Sequence, residues 1–367
     1  MGRLCVKSFG PLKEIDIEIN HVNLFIGANG SGKSVLGKLL TIVLDFNIQS
    51  EDIFLKKLRE FGIDFLTDET VIRVYGEKEQ FVEIIDKKIT FSSQLEKSHK
   101  ALLSLIDIVS KKLEALEEVS KEEVSKRLDE IEAMVSSQYI PAERNLISLF
   151  SQSLSSFVVA EIPLPKFLLH FSSQYEKARN EIKELDLLGM RYLNNGKDLV
   201  YYNEDEYLEL AHSSSGMQSA LPLYLTMRYF GHKNHHTIVV EEPELNLFPK
   251  AQNETIKYLV QECNDKNNLF LMTHSPYVLS SLNILLYAHK VGSLNENTKA
   301  KVSALVPESQ WINPDKFSAY YLENGTVRSL KGATGLIGEN EIDASSDEID
   351  SEFNELVEIY REHKHDR

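Results

Sequence analysis

Cysteine is nearly absent from this 367-residue sequence: Cys5 and Cys263 are the only two, and neither sits in a C-x-x-C pair. That excludes a disulfide framework and a zinc module, and it suits a reducing cytoplasm. Long apolar runs are missing as well. None approaches the ~20 residues needed to cross a bilayer, and Met1 to Gly10 lacks the apolar stretch of a signal peptide. The expectation is a soluble, cytoplasmic protein with no membrane partner. Basic residues are in deficit, 40 Lys and Arg against 56 Asp and Glu, for a net charge of −16. Such a chain repels nucleic acid on average, so nucleic-acid binding through local basic stripes is permitted but not indicated. Internal repeats and low-complexity linkers are also lacking.

What is present is enough apolar material, 42% of residues, to bury a sizeable core in one large domain or one domain with an insertion. Short strands are predicted at Leu4 to Phe9, Ile15 to Ile19 and Val22 to Ile26, followed by an apolar helix from Ser34 to Leu44. Strand-like segments at Thr70 to Tyr75 and Phe81 to Ile89 suggest a small antiparallel sheet. Residues 93 to 134 turn charged and helical, with Leu95, Leu102, Ile106, Val109, Leu113 and Leu116 at close to heptad spacing. Ser120 and Glu123 form a capping box for a second helix carrying Val124, Leu128 and Ile131. The first of these helices would reach only about 35 Å, so the pair is either packing for the core or a short partner-binding arm. Another helical stretch is expected from Phe167 to Leu188. Strands return at Leu199 to Tyr202, Tyr207 to Leu210, Thr237 to Val240 and Leu269 to Met272, the last two separated by a crossover helix that implies a parallel sheet. The acidic tail from Gly338 places Ile349, Phe353, Leu356 and Ile359 or Tyr360 on one helical face, which must dock on its own core or on a partner.

Four stretches carry chemistry. Residues 27 to 34 read G-A-N-G-S-G-K-S, a P-loop pattern between an apolar strand and an apolar helix. Gly30 and Gly32 let the backbone curl so that successive N–H groups, from Asn29 and Ser31 among them, point inward at a phosphate. Lys33 adds a cation, and Ser34 offers a hydroxyl to Mg²⁺. The segment from Thr237 reads T-I-V-V-E-E-P-E: at the end of an apolar strand Glu241 is placed to hold Mg²⁺ and Glu242 to orient or deprotonate the attacking water. Residues 271 to 276, L-M-T-H-S-P, put His274 at another strand end, able to donate to a γ-phosphate or to position that water. Ser213 to Gln218, S-S-S-G-M-Q, opens a helix roughly twenty residues before the acidic strand and forms a second anion nest.

Together these residues resemble the ABC-type ATPases, in the branch that includes RecF, the SMC proteins and the OLD-like, PtuA-like and AriA-like stand-alone ATPases of bacteria. The four stretches are similar, in order, to Walker A, the ABC signature, Walker B with its catalytic glutamate, and the switch histidine. The resemblance runs from residue 4 to about 290 and implies an α/β, ABC-type P-loop ATPase fold. That fold would have a mostly parallel core sheet, an antiparallel β subdomain and a helical, short coiled-coil-like insertion. The implied organisation is an N-terminal ATPase lobe over 1–92, the helical arm over 93–190, a C-terminal ATPase lobe over 191–330 and a tail helix over 331–367.

The implied cofactors are ATP and Mg²⁺. The implied assembly is a homodimer or higher homo-oligomer, closing head to tail with Ser214, Ser215, Gly216 and Gln218 over the ATP held by Lys33 of the other copy. Glu241 replaces the usual aspartate, the signature lacks its first glycine, and Asn246 and Phe248 occupy positions often held by histidine. Arg144, in P-A-E-R, is open between a phosphate contact, a contact to the opposing subunit and an ordinary helix start. The 93 residues after His274 carry no D-x-D signature, so a nuclease or toxic step is expected of a separate protein. The function implied is an ATP-hydrolysing sensor or switch for a separate effector, in defence against phage. The alternatives are a RecF-like DNA clamp and, opposed by the E-E-P-E pattern, a transporter's nucleotide-binding subunit.

Overall fold

The computed structural model describes residues 2–45, 47–48, 50–76, 80–92, 137–150, 164–233, 237–338, 351–357 and 359–361. The helical pair expected over 93–134, with its capping box, lies outside the described residues.

The chain opens with β1 (Gly2–Phe9), β2 (Leu12–Ile19) and β3 (Val22–Ile26). In β2 the acidic positions point outward and Leu12, Ile15, Ile17 and Ile19 inward, whereas β3 is buried at every residue, as a strand covered on both faces must be. Helices α1 (Lys33–Val43) and α2 (Glu51–Glu60) follow; the Ser50 hydroxyl caps α2 by accepting from the Ile53 N–H. Next come β4 (Val71–Tyr75), β5 (Gln80–Ile85) and β6 (Lys88–Phe91). The run predicted as one strand over 81–89 is thus a hairpin. It turns at Asp86 and Lys87, which both adopt left-handed backbone, as a tight two-residue hairpin turn requires.

After β7 (Gln138–Ile140) come α3 (Asn145–Phe150) and α4 (Lys166–Glu181). The helix expected to reach Leu188 stops at Glu181, and Glu184–Leu187 becomes β8. Strands β9 (Met190–Asn194), β10 (Asp198–Tyr201) and β11 (Tyr207–Glu209) complete an antiparallel sheet separate from the main one. A buried carboxylate ties α4 to this sheet: Asp198 accepts from the Tyr175 and Tyr192 hydroxyls at 2.9 and 2.8 Å and pairs with Arg179 at 3.2 Å. These three side chains offset the cost of burying the charge.

The C-terminal part supplies α5 (Ser215–Phe230), β12 (Thr237–Glu241), α6 (Pro249–Glu262), β13 (Asn268–Thr273), α7 (Pro276–Gly292), α8 (Glu296–Ser303), β14 (Phe317–Glu323) and β15 (Thr326–Ser329). The main sheet has the order β6-β5-β4-β1-β2-β15-β14-β3-β13-β12-β7. From β14 to β7 all neighbours are parallel, and the strands from β6 to β2 form an antiparallel wing continuous with them. This is the α/β P-loop ATPase architecture. The strands at 71–91, expected as a small sheet of their own, belong to the main sheet through the pairing of β4 with β1.

Helix α1 lies on β12 and β13, and Gly37 makes that approach close: a Cβ there would sit 3.2 Å from Val239 and 3.3 Å from Met272. The tail is helical at 351–357 and 359–361, and Phe353, Leu356, Ile359 and Tyr360 are exposed rather than docked on the core. Among the described residues, no helix is long and apolar enough to cross a membrane.

Candidate active site

In a parallel sheet, the strand ends that precede the helices gather at one edge, and ligands bind there. The P-loop leaves that end of β3, Glu241 and Glu242 leave β12, Thr273 and His274 leave β13, and Pro141 to Arg144 leave β7. The topology therefore brings three of the four motifs read from the sequence to one place.

The loop from Gly27 to Gly32 is shaped by its glycines. Gly30 and Gly32 have φ of 77° and 104°, conformations a side chain would strain, and a Cβ on Gly27 would meet the Leu322 carbonyl oxygen at 2.2 Å. Lys33 is almost fully buried and donates to the Gly27 and Ala28 carbonyls at 2.6 and 3.0 Å. Desolvation lowers its pKa, opposed by the charges of Glu242, Glu241 and Glu244. Ser31 Oγ is buried without a hydrogen-bond partner. A buried cation on a curled backbone with an unsatisfied hydroxyl beside it fits the phosphates of a nucleotide.

Glu241 is 5% exposed, and its Oε1 has no hydrogen-bond partner. Burial raises its pKa, opposed by the neighbouring Tyr139 hydroxyl, the Lys38 charge and the Ser34 hydroxyl. An orphaned, buried carboxylate oxygen beside the Ser34 hydroxyl is a donor set that suits Mg²⁺, a hard cation that takes oxygen ligands. Glu242 has φ of 44°, rare for a side chain of its size, and such strain gathers at functional sites. Its N–H donates to the Met272 carbonyl at 2.8 Å, which pins it to β13. His274 Nδ1 lies 2.7 Å from Glu242 Oε2 and 3.9 Å from Glu244 Oε1.

Glu244 is the site residue that sequence reasoning did not single out. It is 6% exposed and accepts from the Thr273 hydroxyl at 2.5 Å and from the His274 N–H at 3.4 Å. One donor atom from each of Glu242, Glu244 and His274 lies within 4.8 Å of the others. The signal was present as the second half of E-E-P-E, but only the strand pairing shows that this carboxylate turns back to β13.

Burial first, then the charge and hydrogen bond of Glu244, push the Glu242 carboxyl up to about 7, with His274 pulling the other way. A carboxyl raised in the folded state favours folding while protonated. This contribution is full below the ordinary value of 4.5 and disappears as pH rises through about 7. Between those values, the melting temperature of the nucleotide-free wild type is expected to fall more steeply with pH than that of Glu242→Gln, which has no proton to lose. Parallel melting curves in scanning calorimetry would refute this.

The signature residues open α5. Ser214 caps the helix by accepting from the Met217 N–H at 3.4 Å, and Ser215 and Gly216 form its first turn. A Cβ on Gly216 would sit 2.9 Å from the Asn246 carbonyl oxygen, so this turn packs against the loop that follows Walker B. The Gln218 amide is turned inward and donates to the Ala211 and Ser213 carbonyls at 3.0 Å each. Phe248, by contrast, is 79% exposed at the start of α6. Arg144, left open between three roles in the sequence, is completely buried within its own chain, and desolvation lowers its pKa to about 10.

The family model for the AAA ATPase domain matches residues 74–279, more than half of the chain and a span that includes Ser213 to Gln218, Glu241, Glu242 and His274. An uncharacterised protein of Methanocaldococcus jannaschii, MJ1542, is 33% identical over 91 residues, a stretch that makes up 25% of this chain and 11% of that protein. Among solved structures, the SMC head domain from Thermotoga maritima superposes with a TM-score of 0.42 at 11% identity, covering 89% of this chain and 97% of that one. An ATP-binding cassette of an ABC transporter in its ADP conformation, MJ1267, gives 0.38 at 15% identity, covering 91% and 93%. With the extent of the family match, the chain belongs to the AAA ATPase domain family.

Proposed function

We propose that this chain binds ATP with Mg²⁺ and hydrolyses it, with Glu242 as general base and His274 as the group that senses or positions the γ-phosphate. The observation that carries the reading is the convergence of Glu242, Glu244 and His274 beside the P-loop edge of the sheet. Lys33 and the loop N–H groups hold the phosphates, and Ser34 and Glu241 hold the cation, which when bound offsets the charge of the phosphate oxygens. Glu242, raised in pKa and fixed at both ends of its peptide, accepts a proton from water, and His274 holds that carboxylate in place.

On this reading two copies close head to tail, with Ser214, Ser215 and Gly216 of one over the nucleotide of the other. The inward-turned Gln218 supports that loop from within its own chain. The exposed apolar face of the tail serves an effector encoded elsewhere. The biological setting that fits is that of the OLD-like, PtuA-like and AriA-like ATPases in bacterial anti-phage defence, in the cytoplasm. The acidic composition favours this over a RecF-like clamp.

Light scattering on wild type and Glu242→Gln, with and without ATP·Mg²⁺, tests the assembly: the variant is expected to double in mass and stay closed. A mass that ignores ATP in both proteins would reject the dimer. ATP-dependent retention of duplex DNA, lost in about 0.2 M salt, would move the assignment to the clamp.

A further inference from the structure

Among the described residues, the buried Arg144 has no carboxylate partner at hydrogen-bond distance; its acceptors there are backbone carbonyls of three different segments. Its Nε donates to the Ser219 carbonyl at 2.9 Å, in the second turn of the signature helix α5. Its Nη1 donates to Pro141 at 3.0 Å and to Glu241 at 2.7 Å, and its Nη2 donates to Glu242 at 2.6 Å. A planar guanidinium presents its donors in a fixed fork, so it sets these carbonyls at fixed positions relative to one another.

The sequence of α5 explains why helix carbonyls are open to this segment. Pro222 lies inside the helix and has no N–H, so the Gln218 carbonyl one turn earlier loses its helical donor. The Ser148 hydroxyl, one helical turn after Arg144, replaces that donor at 2.7 Å. Adjacent carbonyls of the signature helix, 218 and 219, are thus held by two side chains of the segment that follows β7. A second tie runs the same way: Asn246 Nδ2 donates to Ser219 Oγ at 3.1 Å.

We propose that Arg144, assisted by Ser148, is a positioning residue that couples the signature helix to the catalytic peptide of Glu242. Displacing the first turns of α5 moves the Ser219 carbonyl, the rigid fork follows it, and the strained peptide at Glu242 follows the fork. The inference rests on the ATPase reading, because its purpose is to align Glu242 when the signature engages nucleotide.

The experiment uses Arg144→Lys, whose single ammonium cannot span the three segments, together with Ser148→Ala and the double variant, each checked for a cooperative melt. Arg144→Lys is expected to lower kcat by about 100-fold, the scale of a misaligned catalytic group, with KM within about threefold. Ser148→Ala should lower kcat by about tenfold, and the double variant should be no slower than Arg144→Lys alone, because both act along one path. Loss confined to KM, or single effects that multiply in the double variant, would overturn the coupling. If Arg144→Lys does not fold, Ser148→Ala carries the same kcat and KM comparison. If the wild type itself does not hydrolyse ATP, the ATPase reading fails separately, and the coupling is then read by hydrogen exchange at the Glu242 amide of the nucleotide-free protein. That amide should exchange faster in Ser148→Ala than in wild type; equal rates would reject the link.

Discussion

Glu242→Gln is expected to slow single-turnover ATP hydrolysis by roughly 10³-fold, within the range of a lost general base, while ATP affinity stays within a few-fold. The two effects separate because, in the proposed role, the side chain takes part in proton transfer and not in holding phosphate. Its carboxylate faces His274 at 2.7 Å, whereas the groups proposed to hold phosphate are Lys33 and the loop backbone. Glutamine keeps the volume and the contact to His274 but cannot accept a proton. It also removes one of two interacting carboxyls, so the pair with Glu244 no longer suffers like-charge repulsion and the site relaxes. The variant should therefore melt no lower than wild type at pH 8 while being almost inactive. Rapid quench with radiolabelled ATP gives the rate; hydrolysis within tenfold of wild type would remove Glu242 from the role of base.

The parts of this site that were legible in the sequence are those whose chemistry is local. The P-loop needs glycines and a lysine at fixed spacing on one turn, and Glu241, Glu242 and His274 need only a strand end. Each can be read from a few consecutive residues. Glu244 and Arg144 were not legible because their partners are remote. Glu244 meets Thr273 and His274 about 30 positions away, and Arg144 meets Ser219 and Glu241 at separations of 75 and 97. No periodicity encodes such pairings. The same division holds in the fold. Strands β1 to β3 and β12 to β13 stood out as apolar runs next to glycine or acidic motifs. Strand β14, which pairs with β3 and is buried over six residues, was missed because no motif borders it. The hairpin of β5 and β6 was read as one strand because Asp86 and Lys87 turn it without glycine.

Lys33→Ala is expected to weaken ATP binding by on the order of 100-fold, corresponding to about 3 kcal/mol from losing a charged hydrogen-bonding partner of phosphate. In this structure Lys33 is held by the Gly27 and Ala28 carbonyls. Binding phosphate exchanges those neutral acceptors for charged ones, and the cost of burying the ammonium has already been met in folding. The charges of Glu242, Glu241 and Glu244 oppose the lowering of the lysine's pKa by that burial. Its removal therefore has a second consequence: the three carboxylates lose their nearby cation, and Glu242 holds its proton to still higher pH. Lys33→Ala should accordingly show both weak binding of a fluorescent ATP analogue and a nucleotide-free melting temperature that falls faster above neutral pH than that of wild type. The two readouts distinguish a phosphate-holding lysine from a packing lysine. A variant that binds the analogue within threefold of wild type, whatever its melting behaviour, would show that the phosphates are held by the loop N–H groups alone.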